Sequence, residues 1–128
     1  MRLLLDTHAF LWWLDGSARL PKRARALIAD DANVVFVSAA SAWEIATKAR
    51  LGKLPGALDV AAELAGIVTV QAFTPLDITI LHAQRAGRLP GEHRDPFDRM
   101  LAAQAQIEDL PIVSNDGAFA SFGVDRIW

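Results

Sequence analysis

Short apolar runs alternate along this chain with segments that have the composition and end signals of helices. Runs of about four apolar or β-branched residues are typical of strands buried in a parallel sheet. The pattern predicts five strands, at residues 2–5, 34–37, 67–70, 111–114 and 124–127. Strands that alternate with helices in this way indicate an α/β fold whose parallel sheet is covered on both faces.

The intervening segments predict helices at residues 8–14, 21–31, 39–50, 58–65, 75–86, 96–108 and 118–122. Pro21, Pro75 and Pro96 each suit the first position of a helix, whereas Gly52 and Gly87 suit positions just past a helix end. No internal repeat or linker interrupts the series, so we expect a single domain over residues 1–128. The strand order that we predict for the sheet is 3-2-1-4-5.

That order places two carboxylates at one crevice. Ligands of such sheets bind beyond the carboxyl ends of the strands, where the strand order reverses. Here the reversal falls between the first and fourth strands, and Asp6 and Asp116 follow those two strands. Each could instead cap the helix after it.

Two further acids lie on predicted helices. Asp98 shares a helical stripe with small and apolar residues, although an acid near a helix start is also favourable without any function. Glu44 has the spacing of a capping box with Ser41 and of an ion pair with Lys48. Convergence of four acids would raise their pKa values unless a cation intervened.

Composition narrows the chemistry. The 128 residues include 52% hydrophobic side chains and no cysteine, so disulfides and thiolate metal sites are excluded. No run is long enough to span a membrane and the first residues do not form a signal peptide, so we expect a cytoplasmic protein. No phosphate-binding glycine motif or Ser/His/Asp constellation is present. Carboxylate ligands without thiolates suit Mg²⁺ or Mn²⁺.

Four motifs resemble those of the PIN-domain ribonucleases, and within them the toxins of the VapC kind. The motifs are LLLDTH at residues 3–8, SAASAWEI at 38–45 with Lys48 and LGKL after it, DPFDRMLAAQA at 95–105, and VSND at 113–116 followed by Phe119. They occur in the family's order and span nearly the whole chain.

The resemblance implies a three-layer α/β/α sandwich with a site for one or two Mg²⁺ or Mn²⁺ ions. Asp6, Glu44, Asp98 and Asp116 match the acidic residues of the family. The residues that the resemblance places beside these ligands are Asp95, Ser114, Thr7, His8 and Ser38. Asp95 could be a helix cap or part of the metal shell, and relatives often carry Asn where this chain has His8. A homodimer and a small cognate antitoxin are also implied.

The resulting hypothesis is a metal-dependent ribonuclease that hydrolyses phosphodiester bonds, the toxin of a type II toxin–antitoxin pair. Basic residues that could contact the RNA backbone are Arg88, Arg94, Arg99 and Lys48. One alternative is a non-catalytic nucleic-acid-binding or interaction module that kept the fold. Another is a phosphatase on a similar sheet, but those with an aspartyl nucleophile need a second acid at the position of His8.

Overall fold

The computed structural model describes residues 1–128 and contains one five-stranded sheet. Its strands are β1 (Arg2–Leu5), β2 (Val34–Ser38), β3 (Thr74–Leu76), β4 (Ile112–Val113) and β5 (Arg126–Ile127). All neighbouring strands are parallel, and their order is β3-β2-β1-β4-β5. The predicted parallel sheet and its strand order are therefore confirmed.

Eight helices cover the sheet. They are α1 (Thr7–Asp15), α2 (Lys22–Ala29), α3 (Ala39–Arg50), α4 (Leu58–Ala62), α5 (Leu64–Val70), α6 (Ile80–Arg88), α7 (Pro96–Glu108) and α8 (Ala118–Ser121). None of these helices combines the length and the apolar character needed to cross a membrane.

The alternation of side chains along β1 divides the core into two layers. Leu3 and Leu5 belong to one apolar cluster, which includes Phe10 of α1, whereas Leu4 belongs to a second cluster with Leu101 of α7. Successive residues of a strand point to opposite faces, so an all-leucine strand supplies both layers. The result is the predicted α/β/α sandwich, with β1 buried at its centre.

The third strand lies later in the chain than predicted. The segment 67–70, which was predicted as a strand, is the end of α5. Its β-branched residues favour a strand locally, but Ile67 and Val68 pack on the core while Val70 is 83% exposed. This one-sided burial is that of a helix, and packing has overridden the local preference.

The predicted helix over 75–86 also begins later. Pro75 lies in β3, paired with Val37, and α6 begins only at Ile80. Proline is tolerated in β3 because this strand is at the edge of the sheet, where a missing N–H is less costly. The helix is instead capped by Thr79, whose hydroxyl accepts from the backbone N–H of His82.

The ends of β1 and β4 are joined by backbone hydrogen bonds at the predicted crevice. The Asp6 N–H donates to the carbonyl of Val113 at 3.1 Å. The next residue, Ser114, donates its N–H to the carbonyl of Ile127 at 3.1 Å. The sheet therefore fixes the backbone of both Asp6 and Ser114 at the same edge.

Candidate active site

A cavity of about 440 Å³ lies past the ends of β1 and β4 and contains a cluster of acids. The carboxylates that line it are those of Asp6, Glu44, Asp95, Asp98 and Asp116. They come from the start of α1, the middle of α3, the start of α7 and the loop after β4. The fold thus brings residues that are up to 110 positions apart in sequence to one cavity.

Asp6 caps α1 and is nearly inaccessible to solvent. One carboxylate oxygen accepts from the backbone N–H of Ala9 at 2.7 Å. The residue as a whole is 6% exposed. Burial raises the pKa of Asp6, while hydrogen bonds from Ser114 and from the Ala9 N–H partly offset that increase. Asp6 is therefore both a helix cap and a buried acid facing the cavity.

Glu44 is buried in α3 and its carboxylate is held by two neighbours. The Thr7 hydroxyl donates to Glu44 Oε1 at 2.6 Å, and the Lys48 ammonium donates to Oε2. Ser41 does not form a capping box with Glu44, because Ser38 is the residue that caps α3. The predicted i, i+4 ion pair with Lys48 is present. Glu44 therefore forms a helical ion pair and also lines the cavity.

Burial has the largest single effect on the pKa of Lys48, but the neighbouring acids together outweigh it. Burial by itself would lower the pKa of Lys48, but the hydrogen bond and charge of Glu44, with the charges of Asp95 and Asp98, raise the pKa overall. The ammonium is therefore held in its charged form beside the acids. It supplies a positive charge within a cavity that is otherwise strongly negative.

Asp98 lies partly buried in the first turn of α7, among other acids. Burial raises the pKa of Asp98 to about 6, and the charges of Asp95, Glu44 and Asp116 add to the increase. A hydrogen bond from His93 acts in the opposite direction. The His93 Nε2 atom lies 3.0 Å from Asp98 Oδ2.

Asp95 and Asp116 use one oxygen each to order nearby backbone. Asp95 Oδ1 caps α7 by accepting from the N–H groups of Phe97 and Asp98. Asp116 Oδ1 accepts from the N–H of Ala118 at 2.9 Å, and the Asp116 N–H donates to the buried hydroxyl of Ser114. Asp95 is thus a helix cap that also lines the cavity.

The donor set fits a divalent cation. Five carboxylates line the cavity against two basic side chains, Lys48 and Arg19. The charges of Asp95, Glu44 and Asp116 contribute to the raised pKa of Asp98. Carboxylate oxygens are the ligands that Mg²⁺ and Mn²⁺ bind. One nitrogen of His93 and one oxygen each of Asp98 and Asp116 lie within 4.8 Å of one another, close enough to share an ion.

Several polar and aromatic residues complete the rim. His8, Trp12, Arg19 and Asn115 line the cavity alongside Thr7 and Lys48. The Arg19 guanidinium lies over the Trp12 ring, 6.0 Å from its centroid, and the rings of His8 and Trp12 are 5.6 Å apart. The predicted site residues did not include Trp12, Arg19 or Asn115, although Asn115 lies within the VSND motif. They also did not include His93, which contacts Asp98.

Some predicted residues lie elsewhere. Ser38 is fully buried and donates to Gln104 Oε1 at 2.5 Å, and it does not line the cavity. Arg99 was predicted to contact RNA, but its three guanidinium nitrogens donate to the carbonyls of Ala86, Leu89 and His93. Three of the N–H donors of Arg99 therefore hold the loop before α7, and a contact of Arg99 with RNA stays a prediction.

The other two arginines are exposed. Arg88 lines a separate cavity of about 670 Å³ between α6 and α7, which contains no acidic residue. Arg94 lies in the loop that leads to the acids at the start of α7. Of the four basic residues predicted to contact RNA, only Lys48 lines the acidic cavity.

The family model of the PIN domain matches residues 3–124 of this sequence. The chain belongs to the PIN domain family. No curated protein matches the sequence significantly. Three solved structures illustrate how widely the fold of this PIN domain is shared.

FitAcB from Neisseria gonorrhoeae is 21% identical, with a TM-score of 0.70 over 100% of this chain and 97% of that chain. VapBC2 from Rickettsia felis, solved with a DNA fragment of its promoter, is 15% identical with a TM-score of 0.69, covering 99% and 98%. Mycobacterium tuberculosis VapC20, a toxin that cleaves the sarcin–ricin loop, is 20% identical with a TM-score of 0.69, covering 95% of both chains. At these identities the likeness concerns the fold.

Proposed function

We propose that this PIN domain protein is a divalent-metal-dependent endoribonuclease that hydrolyses RNA phosphodiester bonds. The observation that carries the proposal is the cavity in which Asp6, Glu44, Asp98 and Asp116 converge past the ends of β1 and β4. A buried cluster of acids is unfavourable without a counter-charge, which a bound cation would supply. The match of residues 3–124 to the PIN domain family also supports the proposal.

In this proposal the four acids hold one or two Mg²⁺ or Mn²⁺ ions. A bound cation supplies two effects: it lowers the pKa of a water molecule and offsets the charge on the phosphate. Asp6 and Glu44 are anchored by hydrogen bonds from Ala9 and Thr7, so they have little freedom to leave the cavity. Rigid placement of this kind favours a productive geometry without reorganisation.

The positive and aromatic groups at the rim would position the RNA. Lys48 and Arg19 line the cavity and can contact phosphates, while Trp12 offers part of its ring to a base. Exposed Arg94 and Arg88 would extend this contact along the RNA backbone. Binding through such contacts weakens as salt concentration rises.

The proposed biological role is that of a toxin neutralised by a small antitoxin, acting as a homodimer. This role is supported by the shared fold with members of the VapBC and FitAB complexes. The PIN domain match itself is equally compatible with a nuclease that has no antitoxin. Co-expression with the product of a small neighbouring reading frame, followed by co-purification, would test the partnership.

The variant Asp6→Asn tests the nuclease activity. Asparagine is also a favourable N-cap, so the substitution removes the charge while keeping an oxygen for the Ala9 N–H. We expect the wild-type protein to cut RNA with Mg²⁺ or Mn²⁺ and to leave 5′-phosphate ends, and we expect Asp6→Asn to abolish cutting. Asp15→Asn, at the exposed end of the same helix, is the matched control and should cut normally.

Different outcomes would point to other functions. Full activity of Asp6→Asn would refute the site assignment. RNA binding without cleavage in either metal would favour a binding module, and hydrolysis of phosphate monoesters without cleavage of RNA would favour a phosphatase. Circular dichroism of each variant would show that a loss of activity is not a loss of fold.

A further inference from the structure

We infer that His93 supplies a nitrogen ligand to the metal site, and that the site therefore prefers Mn²⁺, or another divalent transition-metal ion, over Mg²⁺. The inference rests on the metal site of the proposed function and adds to it the one histidine that contacts its acids. His93 belongs to none of the acidic motifs and lies in the loop between α6 and α7.

The spacing of the donor atoms supports direct ligation. His93 Nε2 is 3.0 Å from Asp98 Oδ2. One nitrogen of His93 and one oxygen each of Asp98 and Asp116 lie within 4.8 Å of one another. Two ligand atoms at right angles on a cation, each at a bond length of about 2.1 Å, are separated by about 3 Å. The imidazole and the two carboxylates are therefore close enough to share an ion.

The loop that carries His93 is held in place from several sides. Arg99, next to Asp98 on α7, donates to the His93 carbonyl at 3.0 Å and also binds the carbonyls of Ala86 and Leu89. The imidazole packs edge-on against Phe122, with ring centroids 5.9 Å apart. The same helix thus presents Asp98 and fixes the backbone of the histidine beside it, as expected of a prearranged donor.

The chemistry of imidazole leads to the prediction of metal preference. Mg²⁺ takes oxygen ligands and retains much of its water, whereas imidazole nitrogen suits transition metals. The other two histidines are placed differently. His8 packs on Trp12, with ring centroids 5.6 Å apart, and His82 is buried with Nε2 bound to Glu108. His93 is the one imidazole within reach of Asp98 and Asp116.

The experiment measures the metal directly on the full chain. Electron spin-echo spectroscopy of bound Mn²⁺ detects coupling to an imidazole nitrogen, and calorimetry gives the affinities for Mn²⁺ and Mg²⁺. His93→Gln is the test variant, because glutamine can still donate a hydrogen bond to Asp98. His8→Gln is the matched control, since it removes an imidazole that lines the acidic cavity and packs on Trp12.

We expect nitrogen coupling in the wild type and in His8→Gln, and none in His93→Gln. Loss of this ligand should weaken Mn²⁺ binding by at least the ~10–100-fold that changes around a metal site produce, while Mg²⁺ affinity changes little. If Mn²⁺ binds the wild type without nitrogen coupling, or if His93→Gln weakens both ions equally, the inference is wrong.

Failure of the proposed function would give a different result. Mn²⁺ bound with nitrogen coupling by a protein that does not cut RNA would overturn the nuclease proposal and leave the ligand assignment standing. RNA cleavage that requires the acids, with no imidazole bound to the ion, would support the nuclease proposal and overturn the ligand assignment. A protein that binds neither ion would overturn both.

Discussion

Replacing Asp98 with asparagine should make the metal-free protein more stable at neutral and alkaline pH. The pKa of Asp98 is raised from 3.8 to about 6, first by burial and then by the charges of Asp95, Glu44 and Asp116. The native state therefore binds the Asp98 proton more tightly than the unfolded chain does. Asparagine has a similar shape and carries no charge, so it removes the cost of ionising this side chain in the cavity.

The pKa values give the size and the pH dependence of the effect. Between pH 3.8 and about 6 the native state holds more protons than the unfolded state, so stability decreases as pH rises through this interval. Above about pH 6 the full free-energy cost of ionising Asp98 in the native state applies. At 1.36 kcal/mol for each pKa unit, the difference corresponds to at most about 3 kcal/mol. At about pH 5 roughly half of that cost remains.

Urea denaturation in the presence of a chelator measures the effect. We expect the free energy of unfolding of Asp98→Asn to exceed that of the wild type by up to about 3 kcal/mol at about pH 8, and by clearly less at about pH 5. Mn²⁺ should reverse the order, because it stabilises only a protein that binds it. A variant that is less stable than the wild type at alkaline pH without metal would refute the argument that repulsion and burial destabilise the charged acid.

Two further predictions concern a buried and a half-buried polar side chain, Gln104 and Arg99. Gln104→Leu should lower the free energy of unfolding by about 1–3 kcal/mol, because Gln104 is fully buried and accepts from the Ser38 hydroxyl. Exposed Gln84→Leu is its control in the same urea titration, and an equal loss there would contradict this reasoning. Arg99→Lys should cost about 1–3 kcal/mol, because one ammonium cannot replace three guanidinium nitrogens at three carbonyls. A thermal melt that matches the wild type, with Arg94→Lys as the exposed control, would show that the Arg99 contacts are dispensable.

Local pattern was sufficient for most of the fold. The leucines of β1 and the β-branched run of β2 have few alternatives to a buried strand, and α7 is marked by Asp95 and Pro96 at its start. From these elements the rule for parallel sheets places Asp6 and Asp116 at one edge. The third strand was missed because short β-branched segments suit either a strand or a one-sided helix, and only packing decides between them.

The candidate site was also predictable from the sequence only in part. The sequence pattern indicated Asp6, Asp98 and Asp116, because each ends an apolar strand or heads an apolar stripe. Glu44 was indicated only by the resemblance to the PIN-domain family. The sequence indicated the ion pair of Glu44 with Lys48, but it could not indicate that Thr7 donates to Glu44 or that His93 is paired with Asp98. His93 lies in a loop without periodicity, so no local signal assigns it a position.

What the sequence by itself determined was therefore the sheet and the edge at which acids gather, since both follow from apolar periodicity and strand order. The tertiary structure decided the environment of each charge. In the folded protein Asp6 is buried and Asp98 lies among other acids. Arg99 donates a hydrogen bond to the carbonyl of His93 and so holds the loop that carries it. The physical reason is that burial, pKa and hydrogen-bond partners depend on residues far apart in the chain, which only folding brings within a few ångströms of one another.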